Sequence, residues 1–122
     1  MKTSPTARTL AELRKQGHVA QVTERWNQWA KRRIDLFGFI DVVALRPGEI
    51  LGIQSTTSDN HAARRSKIAE TDGARAWLDA GGRIEIWSWR KAGRFWIYRR
   101  EPISADGVPE RPALDAEQLT AL

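Results

Sequence analysis

Two apolar segments, Arg33-Ile-Asp-Leu-Phe-Gly-Phe-Ile-Asp-Val-Val-Ala-Leu45 and Ile50-Leu-Gly-Ile-Gln-Ser-Thr56, flank Arg46-Pro-Gly-Glu49. Pro-Gly is a strong turn signal, so the pair reads as a β-hairpin. With residues 46–49 as the loop, Leu45 faces Ile50, and counting back sets Asp41 opposite Gln54. Directly opposed side chains share a face about 5 Å apart, and Thr56 lies one pleat further along it. The other face, Ile40, Val42, Ala44, Leu51 and Ile53, is wholly apolar, while the Asp41 face is apolar at Val43, Leu45 and Ile50. A strand pair apolar on both sides belongs at the centre of a sheet covered on both faces by helices. A slip of one residue would separate Asp41 from Gln54, so the argument rests on register.

A carboxylate at the rim of such a sheet is costly unless it gains hydrogen bonds or a cation. Two readings follow for Asp41 and Gln54. They form a hydrogen-bonded pair closing the hairpin, or they hold a hard divalent ion, which takes oxygen ligands from one or two carboxylates plus phosphate and water.

The rest of the chain supplies the covering layers. Residues 1–5 read as a loose end; Leu10 and Leu13, with a stop at Gly17, suggest a first helix. His18 to Trp26 reads as a strand, and Asn27 to Arg33 as a polar, basic connection. Ser58 or Asp59 caps a helix through Glu70, and Asp72 caps another through Ala80 that ends at Gly81-Gly82. A second hairpin runs from Arg83 to Trp89 and from Phe95 to Tyr98; beyond Glu101 the tail is peripheral, with Asp115 capping a final short helix. The order α-β-β-β-α-α-β-β predicts an α/β domain around one mixed sheet.

Length and composition narrow the function classes. The 122 residues suit a single domain with one core. No apolar run reaches the ~20 residues of a membrane span, and no signal-peptide core opens the chain. There is no cysteine, which excludes disulfides and thiolate metal sites and fits a cytoplasmic protein. A net charge of +5 favours a polyanionic partner. His18 and His61 lack ligand spacing, which argues against zinc; no phosphate-binding glycine loop and no Ser-His-Asp order stands out.

Gly38-Phe-Ile-Asp41, the turn, and an apolar strand ending Gln54-Ser-Thr56 resemble the PD-(D/E)XK nuclease superfamily. The likeness is nearest to small Holliday-junction-resolvase-like and phage-type nuclease domains, and covers about residues 8–70. It implies a restriction-endonuclease-like core, with helices flanking a central mixed sheet. It also implies DNA as partner, Mg2+ or Mn2+ as cofactor, and pairing as a homodimer. Asp41 matches the family's metal-binding Asp. Gln54 stands at the acidic position, where its amide oxygen can still ligate a metal. Thr56 stands at the position of the family's Lys, which orients water or stabilises charge. Asp35 and Glu24 are candidates to restore carboxylates to the metal, and Lys67 or Arg64 to restore the cation. Asp35 has an alternative role capping the 35–38 turn, Glu24 one as a solvated strand residue, and Thr56 one as a plain β-former.

Lys31-Arg-Arg33 and Arg64-Arg-Ser-Lys67 flank the hairpin, where they read as a phosphate-tracking surface or as solvated faces. Trp87, Trp89, Trp96 and Tyr98 give the second hairpin an aromatic side that is expected to be core beneath a helix such as Ala74–Ala80; Trp26 and Trp29 are better placed to touch a base or sugar. The expected activity is metal-dependent hydrolysis of DNA with Asp41, Gln54 and Thr56 at its centre. The alternative is a decayed, nucleic-acid-binding module of the same fold, favoured by Gln-x-Thr. A third is a protein-interaction domain, for which a large exposed Trp patch would be the sign.

Overall fold

A computed structural model describes residues 3–108. The first helix, α1 (Pro5–Lys15), starts where proline is favoured, with the Ser4 hydroxyl accepting from the Ala7 amide at 3.1 Å. Strand β1 (Val19–Val22) follows, then a short hairpin of β2 (Arg25–Asn27) and β3 (Arg32–Ile34). The central hairpin is β4 (Val42–Arg46) and β5 (Glu49–Thr57). A 3-10 turn at Ser58–Asn60 leads into α2 (His61–Ala69) and α3 (Asp72–Asp79), and β6 (Arg83–Ala92) and β7 (Phe95–Ile103) close the fold.

The fold is α/β: a mixed five-stranded sheet in the order β1-β4-β5-β6-β7, with three helices among the described residues. Only β5 and β6 run parallel, joined by the α2–α3 crossover; the other neighbours are antiparallel. The β4–β5 register is the expected one, Leu45 opposite Ile50 and Val42 opposite Ile53. The turn is tighter than expected: Arg46 pairs with Glu49, and Pro47-Gly48 alone make the connection, with Gly48 at φ +77°. Shortening the loop by one residue on each side leaves the register unchanged.

Both faces of the hairpin are covered. Val42, Ala44, Leu51 and Ile53 pack with Trp87, Trp89 and Leu13 of α1. On the opposite side, Phe39, Ile40, Ile84 and Ile86 pack with Ile68 of α2 and Ala74 of α3. Ile40 was expected with Val42; the chain bends at Asp41 and sends it to the other layer. Gly52 permits this crowding, since a Cβ there would meet Ile40 at 2.9 Å and the Trp77 ring at 3.2 Å.

Four expectations need correction. Residues 33–45 are not one strand, because Phe37 and Gly38 take positive φ values (53° and 84°) and break it between β3 and β4. His18–Trp26 is likewise two strands, and the basic connection after it is the β2–β3 hairpin. The tail does not leave at Glu101: residues 101–103 complete β7, and Ile103 and Val108 are buried. The aromatic side of β6 packs beneath α1 and not α3, with Trp89 Nε1 donating to Thr9 Oγ1 at 2.9 Å. The helix expected at Asp115 lies outside the described residues. No helix among the described residues is long and apolar enough to cross a membrane.

Candidate metal and phosphate site

Asp41 sits one residue before β4, and its amide donates to the Ile53 carbonyl at 2.8 Å, extending the ladder by one bond. Its side chain therefore emerges beside Gln54. Asp41 Oδ2 accepts from Gln54 Nε2 at 2.7 Å and from the Ser55 amide at 2.8 Å. The hydrogen-bonded pair thus exists, yet it is incomplete. Gln54 is 2% exposed and its Oε1 is buried without a partner. An unsatisfied buried carbonyl oxygen is costly and calls for an explanation such as a bound ion.

Two further carboxylates reach the same place by a route the sequence did not reveal. The Asp41 carbonyl accepts from the Thr23 amide at 2.8 Å and, more weakly, from the Glu24 amide at 3.4 Å. This pins Glu24 in the link between β1 and β2. Arg25 pairs with Ile34 at the base of the β2–β3 hairpin. Glu24 and Asp35 are consequently the two feet of that hairpin, eleven residues apart in sequence and side by side in space. Carboxylate oxygens of Glu24, Asp35 and Asp41 lie within 4.8 Å of one another. Asp35 does not cap the 35–38 turn with its side chain; the turn is closed by its backbone carbonyl, 3.1 Å from the Gly38 amide.

Helix α2 brings cations to the cluster. Lys67 Nζ is 2.9 Å from Asp35 Oδ2, and Arg64 acts on Asp35 through its charge. Arg64 Nε is buried and lacks a partner. Of the two candidates for a cation from another backbone position, Lys67 is thus ion-paired with Asp35 and Arg64 is near enough for its charge to act on it. Thr56 is buried one pleat beyond Gln54, opposite Ser88 of β6. Lys31, Arg32 and Arg33 are exposed on the β2–β3 hairpin. Arg65 is not a free cation: it grips Glu101 of β7 through Nε and Nη2, at 2.6–3.0 Å.

The electrostatics of the cluster are those of acids forced together. Burial, then the hydrogen bond and charge of Asp35, push Asp41 up to about 8, against the opposing pull of the Ser55 amide. Burial also acts to raise Asp35, but the hydrogen bond from Asp41 and the ammonium of Lys67 outweigh it and hold Asp35 below its ordinary value. Asp41 therefore carries the shared proton at neutral pH and Asp35 stays ionised. A divalent ion would replace that proton. The donor set suits one: three carboxylates within mutual reach and no sulfur or nitrogen ligand among them, as hard oxygen-seeking cations require.

Sequence reasoning also missed a chain of hydrogen bonds that starts from buried His61. His61, the first residue of α2, contacts Ser88 Oγ through Nδ1 at 2.6 Å and Glu101 Oε1 through Nε2 at 2.7 Å. A carboxylate only accepts, so Nε2 carries the proton. The Arg65 hydrogen bonds, ahead of that from His61, hold Glu101 below the usual carboxylate range. A cleft of about 320 Å³ beside these bonds is lined by Ser58, His61, Ser88, Arg90 and Arg99, and not by the carboxylates. Ser88 is itself 2% exposed, and the chain of bonds ties α2 to β6 and β7. Glu101→Gln is expected to destabilise the fold by about 1–3 kcal/mol, since His61 and Arg65 lose a charged acceptor; urea unfolding measures it. Glu101 lies below its ordinary 4.5 in the folded state, so its stabilisation is present above that pH and is lost as acid protonates it. The difference between wild type and variant should accordingly shrink below about pH 4. No protein-family model and no curated protein matches this chain.

Proposed function

We propose that the chain is a metal-dependent DNA endonuclease of the PD-(D/E)XK kind. One observation carries the reading: Glu24, Asp35 and Asp41 converge at the mouth of the central hairpin, with Gln54 bonded to Asp41 and Lys67 to Asp35. The layout the resemblance calls for supports it: a helix, an antiparallel hairpin with the acid at its open end, and a following helix. Asp41, Asp35, Glu24 and Gln54 would hold Mg2+ or Mn2+. The bound ion would supply Lewis-acid activation of water and neutralisation of charge on the phosphate. Lys67 and Arg64 face the same point from α2, where they can take the charge of a phosphate oxygen and release Asp35 to the metal. Water enters past Glu24 and Asp35, both only half-buried, while Asp41 and Gln54 fix the floor.

Purified protein incubated with branched, single-stranded and duplex DNA in Mg2+ or Mn2+ tests the reading. Cleavage should fall by about 10²-fold or more in Asp41→Ala, the scale expected for removing a principal electrostatic group. Thr56, at the position the family gives to Lys, favours the second reading, a binding module without turnover. Binding in both proteins with cleavage in neither would establish that module in place of the enzyme.

A further inference from the structure

The β2–β3 hairpin is the least expected element of this fold, and its composition is unlike the rest of the chain. Residues 25–33 hold Arg25, Lys31, Arg32 and Arg33 with no acid, a charge of +4 where the whole chain carries +5. Among the described residues, no carboxylate forms an ion pair with any of the four. The same hairpin presents Trp26 and Trp29 at 59% and 86% exposure. Burying indole surface is a main driving force of folding, so two solvent-facing tryptophans nine residues or fewer from four unpaired cations require another use.

The hairpin is preorganised. Its strands pair only with each other, in a separate two-stranded sheet. Asn27 Oδ1 accepts from the amides of Trp29 and Ala30 at 2.9 and 2.8 Å, which fixes the tip. Trp26 is directly opposite Arg33, so an indole and a guanidinium share one face of the ladder. Its feet are Glu24 and Asp35, two of the three converging carboxylates. Three residue pairs place the tip on the order of 10 Å from those feet.

We infer that this hairpin is a clamp for unpaired nucleic acid: its tryptophans stack on bases while its cations hold the adjoining phosphates. Stacking needs an open base face, which a continuous duplex does not offer and a single strand, a flap or an unpaired branch does. The cations alone would hold a duplex equally well, so the aromatic pair is what discriminates. The inference deepens the nuclease reading and rests on it only for the position of the scissile phosphate beside the hairpin's feet. It predicts that the substrate is structure-selected, with unpaired nucleotides next to the phosphate that is cut.

The test reads binding apart from cleavage. Fluorescence anisotropy of labelled single-stranded and blunt duplex DNA, in EDTA, compares wild type with Trp26→Ala/Trp29→Ala and with Trp96→Ala, which removes an exposed indole on another hairpin. Wild type and Trp96→Ala should prefer the single strand by about tenfold or more; the double variant should lose that preference while its duplex affinity holds. Trp26→Phe/Trp29→Phe should restore most of it, because a phenyl ring also stacks. Arg32→Gln/Arg33→Gln should flatten the dependence of log affinity on log salt by about 1.4 for the single strand. Both indoles are exposed, so thermal unfolding of the tryptophan variants should match wild type. Equal affinity for the two DNAs, an unchanged preference in the double variant, or no binding would overturn the clamp. A preference lost with the tryptophans in a protein that never cleaves would uphold the clamp and sink the nuclease reading instead.

Discussion

Asparagine in place of Asp41 is expected to make the metal-free protein more stable than wild type at about pH 9, and to remove most of its stabilisation by magnesium. The cause is burial first and the neighbouring Asp35 and Glu24 second, which together push Asp41 up to about 8 in the folded protein against 3.8 in a free chain. A carboxyl raised in the native state binds its proton more tightly there than in the unfolded state. Its contribution to stability is therefore complete below about pH 4 and is lost as pH rises through about 8. An asparagine reproduces the protonated acid: its carbonyl oxygen accepts from Gln54 and Ser55, and its amide donates to Asp35. Wild type and Asp41→Asn should thus be similar below about pH 4 and diverge steadily above it, the variant being the more stable by several kcal/mol near pH 9. Magnesium at a hundredfold its dissociation constant should then stabilise the wild type by about 2.7 kcal/mol and the variant far less. Urea unfolding at three pH values, with EDTA and with magnesium, measures both effects. A variant less stable than wild type at every pH would mean that Asp41 is ionised and satisfied by its hydrogen bonds alone, and the case for a cation would go with it.

The register of the central hairpin was legible because the Pro47-Gly48 turn sets the pairing from which every opposed residue is counted. Its two apolar faces also announced helices above and below, which α1 on one side and α2 with α3 on the other supply. Asp41 and Gln54 were found by that route alone. Glu24 and Asp35 could be named only as nearby acids, because what joins them is a hairpin of three residue pairs whose strands are mostly exposed and leave no alternation of apolar and polar positions. The signal that was there is local: Asn27 three residues before Ala30, and a turn closed around Gly38. Lys67 and Arg64 were distinguishable from Arg65 only by helical spacing read against a fixed partner. Positions 64 and 67 lie one turn apart and face Asp35, while position 65 follows His61 by four and meets Glu101. The His61–Ser88–Glu101 chain of hydrogen bonds left no trace in sequence because its members come from three elements up to 40 residues apart.

Trp87→Ala should be among the most damaging single substitutions in the fold, costing about 3–5 kcal/mol, whereas Trp96→Ala should cost about 0.5 kcal/mol or less. The two residues belong to the same aromatic hairpin and pattern alike in sequence. Trp87 is fully buried, its ring stacked on Tyr98 with centroids 4.8 Å apart and covered by the Arg100 guanidinium at 4.7 Å. Its Nε1 donates to Glu85 at 2.8 Å, and Glu85 in turn holds Arg100, so truncation opens a hole beneath α1 and unseats a linked set of polar contacts. Trp96 is 42% exposed and meets chiefly the Arg8 guanidinium. The contrast bears on function as well as stability. An interaction surface built on this hairpin would need its tryptophans exposed, and Trp87 and Trp89 are both core. Denaturant unfolding of the two variants decides the matter: a small cost for Trp87 would mean that the sheet opens on that side, and the aromatic hairpin would then have to be reconsidered as a binding face.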